Sequence, residues 1–199
     1  MVDPRRDSSR FDGRCTSTRI MLCMVAVLAM GAADAQEQGG GAREPTRSTN
    51  SGPEYRATPD SRSASSARLW QDGDPGQPLD LRGRILSTDG KPVSGAIITL
   101  WQADGGGQYH PERYRAQLVS ATNGEFRLAT AVPGQYYGVK HIHLTVSHDQ
   151  YRPLTTRILF KGDPNLSESD ADLAILLEEV RAQDRVLMVG SVELVLEPL

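Results

Sequence analysis

Hydrophobic and polar positions alternate in short runs along residues 68–199, and the runs are separated by turn residues. Residues 81–86 begin a strand, Thr88-Asp89-Gly90-Lys91 reads as a turn, and 93–102 follow as a second strand. In that run Ile97, Thr99 and Trp101 share one face and Ala96, Ile98 and Leu100 the other, which suggests burial on both sides. Asn123-Gly124 is another turn, 126–131 a strand ending at Pro133-Gly134, and 140–147, 154–160 and 186–196 are further strands. One helix interrupts them: Ser167 or Ser169 can cap it, acidic residues fill its first turn, and Leu173, Leu176, Leu177 and Val180 form an apolar stripe. Short strands at this spacing predict an all-β fold, a single β-sandwich with one short helix near the C-terminus.

The pattern fails upstream. Residues 36–67 contain no Val, Ile, Leu, Met, Phe or Trp and are rich in Gly, Ser, Arg, Thr and Pro. Such a stretch has little apolar surface to offset the entropy of ordering, so it reads as a disordered linker. Residues 1–35 read as a signal peptide: a basic region with Arg5, Arg6, Arg10, Arg14 and Arg19, an apolar run over 20–33, and Ala33-Asp34-Ala35 as a cleavage site. The expected location is therefore outside the cytoplasm, periplasmic or secreted, with no membrane anchor after cleavage. Both cysteines, Cys15 and Cys23, fall in that segment, so the exported domain at 68–199 would rely on its core and any bound metal rather than disulfides. Residues 1–35 carry five Arg against four Asp, so their removal takes the formal charge from −3 to −4. Mild acidity argues against nucleic acid as a partner.

The chemistry concentrates in 133–146. Three of the four His lie between His141 and His148. On a strand, His141 and His143 share one face, about 7 Å apart at Cα, with Ile142 on the other. Tyr136 follows the Pro133-Gly134 turn, and Tyr109 ends a glycine turn at Gly105-Gly106-Gly107. Two imidazoles with two phenols make a donor set suited to ferric iron, a hard trivalent ion that favours anionic oxygen and tolerates imidazole.

The ordered pieces LRGRILSTDGKPVSGAIITLWQADGGGQY (81–109), NGEFRLATAVPGQY (123–136), HIH (141–143) and LTTRILFKGDP (154–164) resemble the intradiol ring-cleavage dioxygenases, closest to the protocatechuate 3,4-dioxygenase type. The resemblance implies a β-sandwich and a non-haem Fe(III) cofactor held by Tyr109, Tyr136, His141 and His143. Tyr136 is preferred to Tyr137 because it is the second residue after Pro133-Gly134. The implied reaction opens a catechol-type ring between its two hydroxyl-bearing carbons with O2, giving a cis,cis-muconate-type diacid. Fe(III) with two phenolates carries a residual single positive charge, so a catechol dianion can enter as one phenolate leaves without net charge build-up. The labile phenolate is implied to be Tyr136, which accepts a substrate proton.

Two positions depart from the family pattern. Gly138 stands three residues before the first His, where the family carries Arg, and Arg157 stands where it carries Gln. Arg157 is therefore expected to supply the guanidinium near the catecholate, with Lys140 as substitute. Arg113, Arg115 and Lys140 are candidates for reading a ring substituent. The alternative is a metal-free prealbumin-like β-sandwich module, structural or adhesive, which would not require His-x-His or the second tyrosine.

Overall fold

The computed structural model describes residues 41–50, 52, 64–182 and 185–199. The expected signal peptide lies outside the described residues. Two five-stranded sheets stack on a common core. The first contains β1 (Ser66–Arg68), β2 (Pro78–Ser87), β5 (Glu125–Ala131), β9 (Leu177–Ala182) and β10 (Arg185–Leu196), in the order β1-β5-β2-β10-β9. The second contains β3 (Ile97–Gln102), β4 (Arg115–Val119), β6 (His141–His148), β7 (Tyr151–Phe160) and β8 (Ala174–Ile175), in the order β4-β3-β6-β7-β8.

Alternation along β6 builds the contact between the sheets. Ile142, Leu144 and Val146 are fully buried, and Ile98 and Leu100 of β3 join them in the core with Leu79, Leu81, Phe126, Leu128 and Leu194 of the first sheet. Each such side chain contributes about 1.5–3 kcal/mol relative to an exposed one. The opposite face of β6 is left to His141 and His143. β3 and β7 flank it in register, placing Trp101 and Arg157 on either side of His143. The all-β expectation therefore holds, and the single described helix is a 3-10 turn, Glu168–Leu173.

Three expectations differ from the structure. The apolar stripe does not continue as a helix. Leu173 is buried at the end of the 3-10 turn, whereas Leu176 and Val180 are largely exposed, and Leu177 starts β9. Backbone pairing of β9 with the long strand β10 overrides the helical spacing. The domain also starts earlier than residue 68, because Ser66–Arg68 pairs in parallel with β5.

Third, residues 41–50, expected as part of a disordered linker, lie along the domain. The Arg43 amide donates to the Thr88 carbonyl (2.7 Å), the Thr46 amide to Val195 (3.0 Å) and the Thr49 amide to Thr155 (2.7 Å). The Thr156 hydroxyl donates to the Arg47 carbonyl (2.8 Å), and Arg47 binds both Asp170 and Asp172 at 2.9 Å. Backbone hydrogen bonds and an arginine clamp hold this segment, neither of which needs apolar residues.

Candidate metal centre

Two glycine turns bring the tyrosines to the histidine face. The β3–β4 loop carries Tyr109 and the β5–β6 loop carries Tyr136. They pack backbone against backbone. A Cβ on Gly134 would lie 2.2 Å from the Gly107 amide nitrogen, and one on Gly107 would lie 2.3 Å from the Gln135 carbonyl oxygen. Only glycine permits that approach.

Asp104 fastens both loops. Its Oδ1 accepts from the Gly106 and Gln108 amides (2.9 Å each), its Oδ2 faces His110 Nε2 (2.7 Å), and its carbonyl accepts from the Gly134 amide (2.7 Å). Burial works against the Asp104 carboxylate, but the Gln108 amide, His110 and the Gly106 amide together hold it below the usual carboxylate range. Asp104 lies inside the matching piece 81–109, directly before the glycine turn, but no periodicity sets it apart, and its role was missed.

The expected ligands converge. His141 Nδ1 donates to the Val139 carbonyl (2.7 Å), so its Nε2 presents a lone pair. His143 Nε2 lies 2.9 Å from that nitrogen and the Tyr109 hydroxyl 3.3 Å from it. The Tyr136 ring packs edge-on against Tyr109 with centroids 4.9 Å apart. Trp101 stacks on His143 at 5.0 Å and 9°, fixing the plane of its ring. The stacking partner follows from the β3–β6 register and was also missed.

All four side chains line one cavity of about 360 Å³, together with Asn50, Gly52, Tyr137 and Arg157. A larger depression of about 880 Å³ on the first sheet, lined by Arg82, Arg84 and Phe126, contains none of them. Tyr137 is 90% exposed, adopts a positive φ of 41°, and packs edge-on against Tyr136 with centroids 4.8 Å apart. Arg113 is held by Asp74 at 2.7 Å, and neither it, Arg115 nor Lys140 lines the cavity.

These residues fit a metal ion. Donors at bond lengths of about 2.1 Å and near right angles stand about 3 Å apart, close to the separations found here. Without a cation, Tyr109 and His143 crowd the single lone pair of His141 Nε2. A cation there would accept the Nε2 lone pairs of both imidazoles and the Tyr109 oxygen together. The pocket also keeps its imidazoles neutral and ready to ligate. Burial, then the neighbouring His141 and Arg157, push His143 down to about 3; burial and Arg157 lower His141 against the opposing Val139 hydrogen bond. Arg157 places a guanidinium in the cavity wall. Its Nε is buried without a partner among the described residues, and its nearest carboxylate, Asp170, is 3.8 Å away. A guanidinium in the cavity wall favours an anionic occupant.

A family model described as "Dioxygenase" matches residues 50–140, which include both tyrosines. A chlorocatechol 1,2-dioxygenase of Rhodococcus opacus is 32% identical over 146 residues, covering 59% of this chain and 56% of the relative. A catechol 1,2-dioxygenase of Acinetobacter baylyi is 32% identical over 161 residues, covering 66% of this chain and 51% of the relative. The chain thus spans about half the length of the curated relatives it matches. Among solved structures, the dioxygenase domain of a dioxygenase–carbohydrate-binding fusion from Streptomyces sp. SirexAA-E is 31% identical with a TM-score of 0.64, and the match covers 77% of this chain and 99% of that one.

Proposed function

Because this chain belongs to the intradiol ring-cleavage dioxygenase family, we propose that it is an exported Fe(III)-dependent enzyme that opens a catechol-type ring between its two hydroxyl-bearing carbons with O2, giving a cis,cis-muconate-type diacid. The observation that carries this reading is the convergence of Tyr109, His141 and His143 at 2.9–3.3 Å, with Tyr136 lining the same cavity.

Tyr109, Tyr136, His141 and His143 would hold the iron. Bound Fe(III) would supply Lewis acidity toward the catecholate and prepare the ring for O2. The chain's own residues do the rest. Trp101 and the Val139 carbonyl orient the two imidazoles. Tyr109, on the loop fastened by Asp104, stays in place as the permanent anionic ligand. Tyr136, packed edge-on against the exposed Tyr137, is the phenolate that accepts a proton at Oη from a catechol hydroxyl. Arg157, in the cavity wall, offers its guanidinium to the negative charge of the bound diol, the role the resemblance gives to an arginine where Gly138 stands here. A metal-free structural module requires neither the fastened tyrosine loops nor a half-buried guanidinium lining the same cavity as two imidazoles.

The test is direct. Iron-loaded protein incubated with catechol should take up one O2 per diol consumed and yield a ring-opened diacid. Iron-loaded, folded protein that consumes no O2 with catechol or substituted catechols overturns the proposal. N-terminal sequencing of exported material should find a start near Gln36, and an intact Met1 would argue against export by cleavage.

A further inference from the structure

The segment before the sandwich reaches the metal centre. β9 pairs with β10 only as far as Gly190, and β8 pairs with β7 only at Leu159 and Phe160. Part of each strand therefore has an edge that neither short partner covers, and the upstream segment lies along both. It bonds the Val195 carbonyl and amide through Thr46, and the Thr155 carbonyl through the Thr49 amide. Between these points Arg47 donates to Asp172 Oδ1 and Oδ2 (2.9 and 3.1 Å), Asp170 Oδ1 (2.9 Å) and the Ser169 carbonyl (3.1 Å). Asp170 is also the carboxylate nearest Arg157.

Beyond this anchor, Asn50 and Gly52 line the metal cavity. Gly52 adopts a φ of 71°, and a Cβ there would lie 3.0 Å from His143 Cε1 and 3.3 Å from its Nε2. The strap thus presents a residue without a side chain to a candidate ligand. The cavity it walls, about 360 Å³, is near the lower end of the usual range for ligand sites, about 300–1,000 Å³.

We propose that Asn50 and Gly52 are the specificity-determining wall of the substrate pocket, restricting it to compact single-ring diols, and that Arg47 is the positioning residue that holds this wall against His143. The restriction on diols rests on the dioxygenase reading; the shielding of His143 does not.

Two readouts on the full chain separate them. In metal-free protein, acylation of His143 by diethyl pyrocarbonate is followed by peptide mass spectrometry, with His148 as internal control. In iron-loaded protein, kcat/KM is compared for 4-tert-butylcatechol and catechol. Arg47→Ala should speed His143 acylation about tenfold or more, leave His148 unchanged, and raise the bulky-to-small kcat/KM ratio about tenfold. Arg47→Lys should restore most of both. Asn50→Ala, which removes no side-chain hydrogen bond found here, should raise the ratio with acylation little changed, and serves if Arg47→Ala does not fold. Unchanged acylation and an unchanged ratio in folded Arg47→Ala overturn the proposal, as does an unchanged ratio in Asn50→Ala if only that variant folds. Absence of turnover with both diols refutes the dioxygenase reading, and the acylation rates then decide the strap by themselves.

Discussion

The depressed histidine has a measurable consequence for stability. In the unfolded chain His143 titrates near the ordinary 6.5, and in the metal-free fold burial, His141 and Arg157 push it down to about 3. The unfolded state therefore binds a proton more readily. Stability is fully present above pH 6.5 and is lost as pH falls from there toward the folded value. One pKa unit is worth about 1.4 kcal/mol. Between about pH 7.5 and pH 5 the unfolded His143 becomes almost fully protonated while the folded one does not, which costs about 2 kcal/mol. His141 shifts in the same direction and adds to the loss. Depressed carboxylates such as Asp80, held low chiefly by its hydrogen bond from Arg127, interfere little, because their contribution is lost as pH falls from the ordinary carboxylate value toward the lower folded one, beneath this interval. Urea unfolding of the metal-free full chain at the two pH values reads the difference. His143→Gln should lose about 2 kcal/mol less than wild type over the same interval. Equal losses in the two proteins would mean that the proton uptake belongs to groups other than His143.

Other residues give independent tests. Arg157→Gln should lower kcat/KM about 10- to 100-fold, the loss of one charge-assisted hydrogen bond, with iron content unchanged; unaltered turnover and affinity would remove Arg157 from the chemistry. Asp104→Ala leaves two amides and His110 without their acceptor and should cost about 2–4 kcal/mol in urea unfolding while weakening iron retention; full retention would separate the Tyr109 loop from the metal. Tyr109→Phe should cost more iron affinity than Tyr136→Phe, whereas Tyr136→Phe should keep iron and slow proton loss from bound catechol in stopped flow. The assignment fails if Tyr109→Phe retains full iron and turnover.

Much of this architecture was legible because it rests on local rules. β2, β3, β5, β6, β7 and β10 alternate or carry continuous apolar runs between glycine turns, and the period of two placed His141 and His143 on one face. The tyrosines sit at turns whose glycines the structure uses for close backbone contact. What stayed hidden depends on partners distant in sequence. β9 shows helical spacing and becomes a strand because β10 offers an edge. β4 buries only Ala116 and Leu118, too few positions to establish a period. The strap at 41–50 binds through amides, carbonyls and Arg47, none of which a hydrophobicity argument counts. Asp104 and Trp101 acquire their roles from loop packing and strand register.

If Tyr109, Tyr136, His141 and His143 hold one ferric ion, the protein is coloured. The visible spectrum of the purified full chain, taken with its iron content, tests it most directly. One iron per chain is expected, with a red-brown tyrosinate-to-iron charge-transfer band that weakens in Tyr109→Phe. A folded protein that stays colourless and iron-free after incubation with ferric iron would contradict it.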